Sequence, residues 1–281
     1  MLRCLIAEQS LCRAQYNRVM LTATTHPQEI RAAIRSNSLD RTTAGLAPDY
    51  VQANLAVLPK EQAYDFLLFC QRNPQACPLL EVTDAGNAEP RVFAPGADLR
   101  TDIVSYRIYR HGEVVDEVTD ATPYWREDLV AFLLGCSFTF EQAMVQAGVR
   151  LWHLEHQKAV AMWRTSIQCR AAGVFHGPMV VSMRPIRPGD LAKAVTASAR
   201  FPGAHGAPIH IGDPAAIGIT DITQPHYGDA QHMEPGDIPV FWACGVTPQA
   251  VALASKPPFM ITHSPGNMFV TDMPNSALAA L

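Results

Sequence analysis

From residue 149 onward, short apolar runs recur at intervals that a chain can satisfy only by returning repeatedly to a sheet. Runs at 149–154, 160–164, 178–184, 207–211, 238–243, 259–263 and 268–272 are strand-length, and most are bounded by Gly or Pro. Helical patterns fall between them at 189–200 and 248–255. Strands interleaved with helices predict an α/β fold, with mixed sheets and helices arranged as two interwoven α/β lobes. At 281 residues and 48% hydrophobic content, the chain is long and apolar enough to bury a large core.

The first half carries clearer punctuation. A helix is predicted over 27–35, with Pro27 at its first position and Glu29 in its first turn. A second runs over 61–72 and stops before Asn73-Pro74, because the residue ahead of a proline is pushed out of the helical region. Residues 78–83 read as a buried strand, and 107–117 as a hairpin turning at His111-Gly112. An amphipathic helix is expected over 125–134, closed by Gly135, and another over 138–147, closed by Gly148. Residues 1–25 read as a poorly integrated N-terminal extension, with Met20 as an alternative start, and 26–281 as the folded domain. No internal repeat is evident.

Composition excludes several classes. The net charge of −4 and the lack of any Lys/Arg cluster argue against nucleic acid. No apolar run approaches the roughly 20 residues that span a bilayer, and the N-terminus lacks a secretory leader, so a cytoplasmic location without membrane attachment is expected. Seven cysteines, an odd count without C-x-x-C, fit free thiols in a reducing compartment. The expected partner is a small amino acid or carboxylate, and a homo-oligomer is compatible with the composition.

The chemistry concentrates late. Eight of the ten histidines follow residue 150, among loops rich in Gly and Pro at strand ends, where ligands of open α/β sheets bind. In I-P-V-F-W-A-C-G-V-T-P (238–248), an apolar strand runs into Cys244 and Gly245. Thr247 is expected at the N-cap of the next helix and Pro248 at its first position. A thiol there sits near free amides that favour anions and lower its pKa; a buried structural cysteine is the plain alternative. G-C-S-F-T-F-E (135–141) repeats the logic, with Cys136 and Ser137 in a break between two helices. H-G-A-P-I-H-I-G-D-P (205–214) offers His205, His210 and Asp213. Pro208 forbids the helical i, i+4 zinc spacing, so proton handling is favoured over a divalent metal, and no cofactor is expected. His263 stands at a further strand end, with Asp229 and Asp272 as carboxylates that would orient an imidazole. Arg184, after the apolar V-V-S-M, suits a carboxylate clamp; Arg100 and Arg164 are weaker anchors.

Taken together, these strings resemble the D-glutamate cyclase family, whose bacterial members carry the name hydro-lyase. The resemblance runs through G-L-A-P-D-Y-V-Q-A-N-L (45–55), C-P-L-L-E-V-T-D-A-G (77–86), G-C-S-F-T-F-E (135–141) and V-V-S-M-R-P (180–185). It continues through H-G-A-P-I-H-I-G-D-P (205–214), F-W-A-C-G-V-T-P-Q (241–249) and I-T-H-S-P-G-N-M-F-V-T-D (261–272), and covers roughly residues 27 to 273. Three positions depart from the usual pattern: Asp49 stands where glycine is common, His226 where aspartate is, and Asn267 where histidine is. The resemblance implies a lyase of two α/β lobes that closes D-glutamate to 5-oxo-D-proline with loss of water. On that reaction Arg184 is expected to hold the α-carboxylate and the amides near Cys244-Gly245 the γ-carboxyl oxygens. His210 with Asp213 would act as base and His263 as acid, with Arg100, Ser137, His205 and Thr247 completing the substrate contacts. Two alternatives remain: a cofactor-free racemase or epimerase using Cys136 and Cys244, and a non-catalytic carboxylate-binding protein.

Overall fold

The computed structural model describes residues 24–39 and 41–280. The expectations for the N-terminal extension and for Met20 lie outside them, apart from Thr24 and Thr25. Helix α1 (Pro27–Arg35) forms where predicted, with His26 at its N-cap and Ile30, Ala33 and Ile34 buried. Strand β1 (Tyr50–Pro59) then runs directly into α2 (Lys60–Arg72).

Two sheets carry the fold, and every strand pair in them is antiparallel. The larger contains β1, β2 (Leu79–Val82), β3 (Tyr106–Arg110), β4 (Glu113–Val118) and β5 (Leu129–Gly135), and from the far end of the chain β10 (Met260–His263) and β11 (Phe269–Pro274). Its order is β2-β5-β1-β10-β3-β4, with β11 also pairing β1. β1 is the hub: one edge pairs with β5 from Ala53↔Gly135 to Pro59↔Leu129. The other edge is shared between β10, at Ala56↔Thr262, and β11, at Ala53↔Phe269. The smaller sheet has the order β6-β7-β9-β8, from β6 (Ala161–Gln168), β7 (Pro178–Ile186), β8 (His210–Ile211) and β9 (Ile238–Ala243). The predicted hairpin is β3–β4; His111 and Gly112 both take positive φ, 50° and 82°, as a two-residue turn of the I′ kind demands.

The expected α/β class holds, and two predicted elements change type. Residues 129–135 form strand β5, not the end of an amphipathic helix, and all seven are buried. Leu129, Ala131 and Leu133 pack into one core and Val130, Phe132 and Leu134 into another, so both faces are covered. A strand apolar on both faces loses its alternation and becomes indistinguishable from a helix by periodicity. Residues 149–154 are not a strand; Trp152–Glu155 is a single helical turn, α4.

The two sheets exchange helices. β5, in the large sheet, leads into α3 (Phe138–Gln146), which packs Phe140 and Met144 with α5 (Leu191–Ala199) against Ile186, Val240 and Trp242 of the small sheet. β9, in the small sheet, leads into α6 (Thr247–Ser255), which packs Val251 and Ala252 against Ala56, Phe132 and Met260 of the large one. The two crossing turns, at Cys136 and Cys244, therefore meet where the sheets adjoin. Among the described residues no helix is long and apolar enough to cross a membrane.

Candidate active site

Each crossing turn has the same local build. A strand ends, a cysteine follows at once, and the next threonine amide donates back to the cysteine carbonyl: Thr139 N to Cys136 O at 3.1 Å, Thr247 N to Cys244 O at 2.9 Å. The amide two residues on, Phe138 or Val246, donates to the thiol sulfur. The sequence signal is C-x-x-T, present twice in C-S-F-T and C-G-V-T, and too short to register as an internal repeat. Thr247 is not the N-cap as expected; Val246 is. The Thr247 hydroxyl instead ties the turn together, donating to Cys244 O at 2.7 Å and accepting from Val180 N at 3.1 Å.

Both thiols line one small cavity of 20 Å³, together with Asn54, Ser137, Met162 and Met268. Space of that size holds about one water. Burial pushes the Cys244 thiol up to about 11, against the Val246 amide and the Arg184 charge, which pull it down. Burial raises Cys136 further still, with the Phe138 amide opposing. The expected anion-activated thiolate is thus replaced by two neutral thiols, because desolvation outweighs the helix N-terminus. Gly245 is required by close approach: a Cβ there would lie 1.9 Å from Asn54 Nδ2. Asn54 spends that nitrogen on Gly135 O at 2.6 Å, which leaves its oxygen as an acceptor.

Behind Ser137 lies a buried charged chain. Arg184 is fully buried, its guanidinium lying over the rings of both Phe140 and Trp242, 5.5 and 5.3 Å from their centroids. Its fork is filled from within the chain. It bonds Glu141 through Nε at 3.0 Å and through Nη2, Ser182 Oγ at 3.0 Å, and Ser137 Oγ at 2.9 Å. Glu141 also meets His153 Nε2 at 3.0 Å. Burial alone would raise the Glu141 carboxyl; the charges of His153 and Arg184 outweigh it and hold it at about 2. The carboxylate that Arg184 clamps is therefore Glu141, and its link to the cavity is the Ser137 hydroxyl.

The other expected residues are placed elsewhere. His210 Nε2 meets the backbone carbonyl of Asp213 at 2.7 Å, while the Asp213 carboxylate accepts from Ala215 N as a turn cap. They form no imidazole–carboxylate pair, and neither lines the thiol cavity. His263 is buried in β10, its Nδ1 accepting from Leu55 N at 3.1 Å. His205 is buried with Nδ1 2.6 Å from Gln75 O. Burial holds both imidazoles at about 4, hence neutral. Among the described residues no group of three His, Cys, Asp or Glu converges as a metal would require, so His205, His210 and Asp213 do not form a cage. Asp272 is committed to Arg31 at 3.0 and 2.9 Å, Asp229 to Ala159 N, and Arg100 to Asp98. Of the three departures, Asp49 accepts at its carbonyl from Asn275 N, Asn267 N donates to Ser264 O, and His226 Nδ1 accepts from Arg164 N at 3.3 Å. Asn54 and His153 are site residues that sequence reasoning does not single out, and Glu141 enters it only as the last residue of G-C-S-F-T-F-E, without a role. Asn54 lies in the G-L-A-P-D-Y-V-Q-A-N-L string, on a strand whose apolar pattern does not alternate.

The family model of D-glutamate cyclase matches residues 130–272. A "Putative hydro-lyase" of Psychrobacter arcticus is 57% identical over 91% of this chain and 97% of its own length. "Putative hydro-lyase YcsI" of Bacillus subtilis is 53% identical over 91% and 99%. The chain belongs to the D-glutamate cyclase family, and membership makes it an enzyme of the lyase class. Among solved structures, a nitrogen repressor-like protein of Methanococcus jannaschii aligns with a TM-score of 0.35 at 9% identity, over 87% of this chain and 97% of that one. A likeness that weak carries no argument.

Proposed function

We propose that the chain is a hydro-lyase closing D-glutamate to 5-oxo-D-proline, with the bond changes taking place between Cys136 and Cys244. The observation that carries this is the convergence of the two thiols on one cavity from equivalent strand–helix turns. Ring closure forms the N–Cδ bond and breaks one Cδ–O bond. The ammonium loses two hydrogens, and both leave with the departing oxygen as water, so two protons travel from nitrogen to oxygen. Two neutral thiols can relay them, each giving its hydrogen to the departing oxygen and regaining one from the amine. Asn54 Oδ1 accepts from the ammonium, and the Ser137 hydroxyl, itself accepting from Arg184, donates to the developing oxyanion. Holding the folded conformer of a tethered nucleophile supplies much of the remaining rate.

The test is to incubate the purified protein with D-glutamate, L-glutamate and 5-oxoproline, with and without chelator, and to follow products by NMR. Cys136→Ser and Cys244→Ser are each expected to lower turnover about 10²-fold or more, the scale of a lost proton-transfer group, while keeping the fold. Turnover within a few-fold of wild type in both would sink the relay. The same convergence of thiols favours one second reading, exchange of the α-hydrogen by a two-thiol racemase. Reaction in D2O separates them, since cyclisation leaves that hydrogen in place and racemisation replaces it with deuterium.

A further inference from the structure

Next to the thiol cavity lies a larger cleft of 660 Å³, and the loop residues Thr42 and Ala44 line both. The thiol cavity alone is too small for an amino dicarboxylate, whereas the cleft falls within the ~300–1,000 Å³ of small-molecule sites. Its walls are basic. Arg41, Arg150 and Lys158 line it against a single acid, Glu155, which is bonded to Arg150 at 2.6 Å. Among the described residues no ion pair reaches Arg41 or Lys158, and both side chains are exposed. The wall also contains His153, which is fully buried. Its Nε2 is spent on Glu141, and among the described residues its Nδ1 has no hydrogen-bond partner, an orphan that native interiors rarely keep. From His153 the buried chain of Glu141, Arg184 and Ser137 runs to the thiol cavity.

We infer that this cleft is a carboxylate site: Arg41 and Lys158, with His153 beneath, hold the non-reacting carboxylate of the substrate while its reacting end passes Thr42 and Ala44 to the thiols. The inference rests on the cyclase reading for what the second carboxylate does, but the anion site itself is independent of turnover. It gives the α-carboxylate a cationic partner, which Arg184 is not free to be. It also confines the substrate class to short aliphatic amino acids with two carboxylates, one for each compartment. Unpaired cations at the rim of a recess draw anions in before any contact forms.

Glutarate tests the site, because it has both carboxylates and no amine, and so cannot cyclise. Calorimetric titration of the full chain is expected to show binding that R41Q/K158Q weakens about tenfold or more, roughly 1.4 kcal/mol. Arg91→Gln, which removes a cation paired with Asp84 outside the cleft, leaves affinity unchanged. Absence of glutarate binding by the wild type, or equal affinity in R41Q/K158Q, overturns the inference. Turnover of D-glutamate is measured alongside. If the wild type does not cyclise it but glutarate binding still depends on Arg41 and Lys158, the reaction fails and the carboxylate site stands. If R41Q/K158Q cyclises D-glutamate with unchanged kcat and KM, the site fails and the reaction stands.

Discussion

Arg184 shows what a fully buried cation needs in order to persist. It has three polar partners and two aromatic faces, and its charge is balanced by Glu141 a hydrogen bond away. Removing one member of such a pair typically costs about 3–5 kcal/mol, because the other is left charged and dry. From sequence, an arginine after an apolar strand reads as a ligand clamp; only packing reveals that the clamp is already closed. The buried histidines give a sharper test. His205 and His263 are held at about 4, against an ordinary 6.5. Between those values the unfolded chain binds protons that the folded chain refuses, so stability is full above pH 6.5 and falls as pH drops toward 4. Each histidine accounts for up to about 3 kcal/mol, at 1.36 kcal/mol per pH unit. Glu141, held at about 2, adds a loss that begins only below its ordinary 4.5. Urea unfolding midpoints measured from pH 7.5 to 4.5 should therefore fall already between 6.5 and 5, and a flat profile there would contradict the burial of these imidazoles.

At the level of elements, legibility follows exposure. Helix α1, helix α2 and the His111-Gly112 hairpin each carry a polar face or a turn residue with a fixed conformational meaning, and all three form where the sequence puts them. β1 and β5 carry neither, because the centre of the large sheet is covered on both faces, so one leaves no strand signal and the other reads as a helix. The site suffers with them: Cys136 reads as lying between two helices when it follows a strand, and Asn54 goes unseen. Cys244 is legible because proline and glycine punctuate both sides of its turn. The geometry of that turn makes Gly245 a point of leverage. In Gly245→Ala the added methyl must displace the Asn54 side chain, which the 2.6 Å bond to Gly135 O holds in place. Overpacking of this kind costs about 1–3 kcal/mol. The expected result is a lowered melting temperature together with a fall in D-glutamate turnover larger than the loss of folded protein explains. Activity that simply tracks the folded fraction would show that Asn54 has no part in the chemistry.

Across the whole molecule, the hub strand ties the chain's beginning to its end. β1 starts at residue 50, yet its partners are β5, β10 and β11, the last ending at Pro274. Its neighbours on either side thus wait for most of the chain to be present, a topology of long loop closures and slow, cooperative folding. The family model, by contrast, begins at residue 130 and contains β5, β10 and β11 without β1. If the matched span were an independent domain, those three strands would each need another partner on the edge that β1 occupies. They have none within the span, so residues 130–281 alone would expose unpaired edges flanked by the apolar residues of two cores. The fragment is expected to aggregate, or to show neither the near-UV circular dichroism nor the cooperative urea transition of the full chain. Adding residues 24–129 as a separate polypeptide should restore both signals, because it returns β1 to the gap. A fragment 130–281 that unfolds cooperatively by itself would mean that the small sheet and its exchanged helices stand without the hub, and that the junction holding the two thiols is built without Asn54.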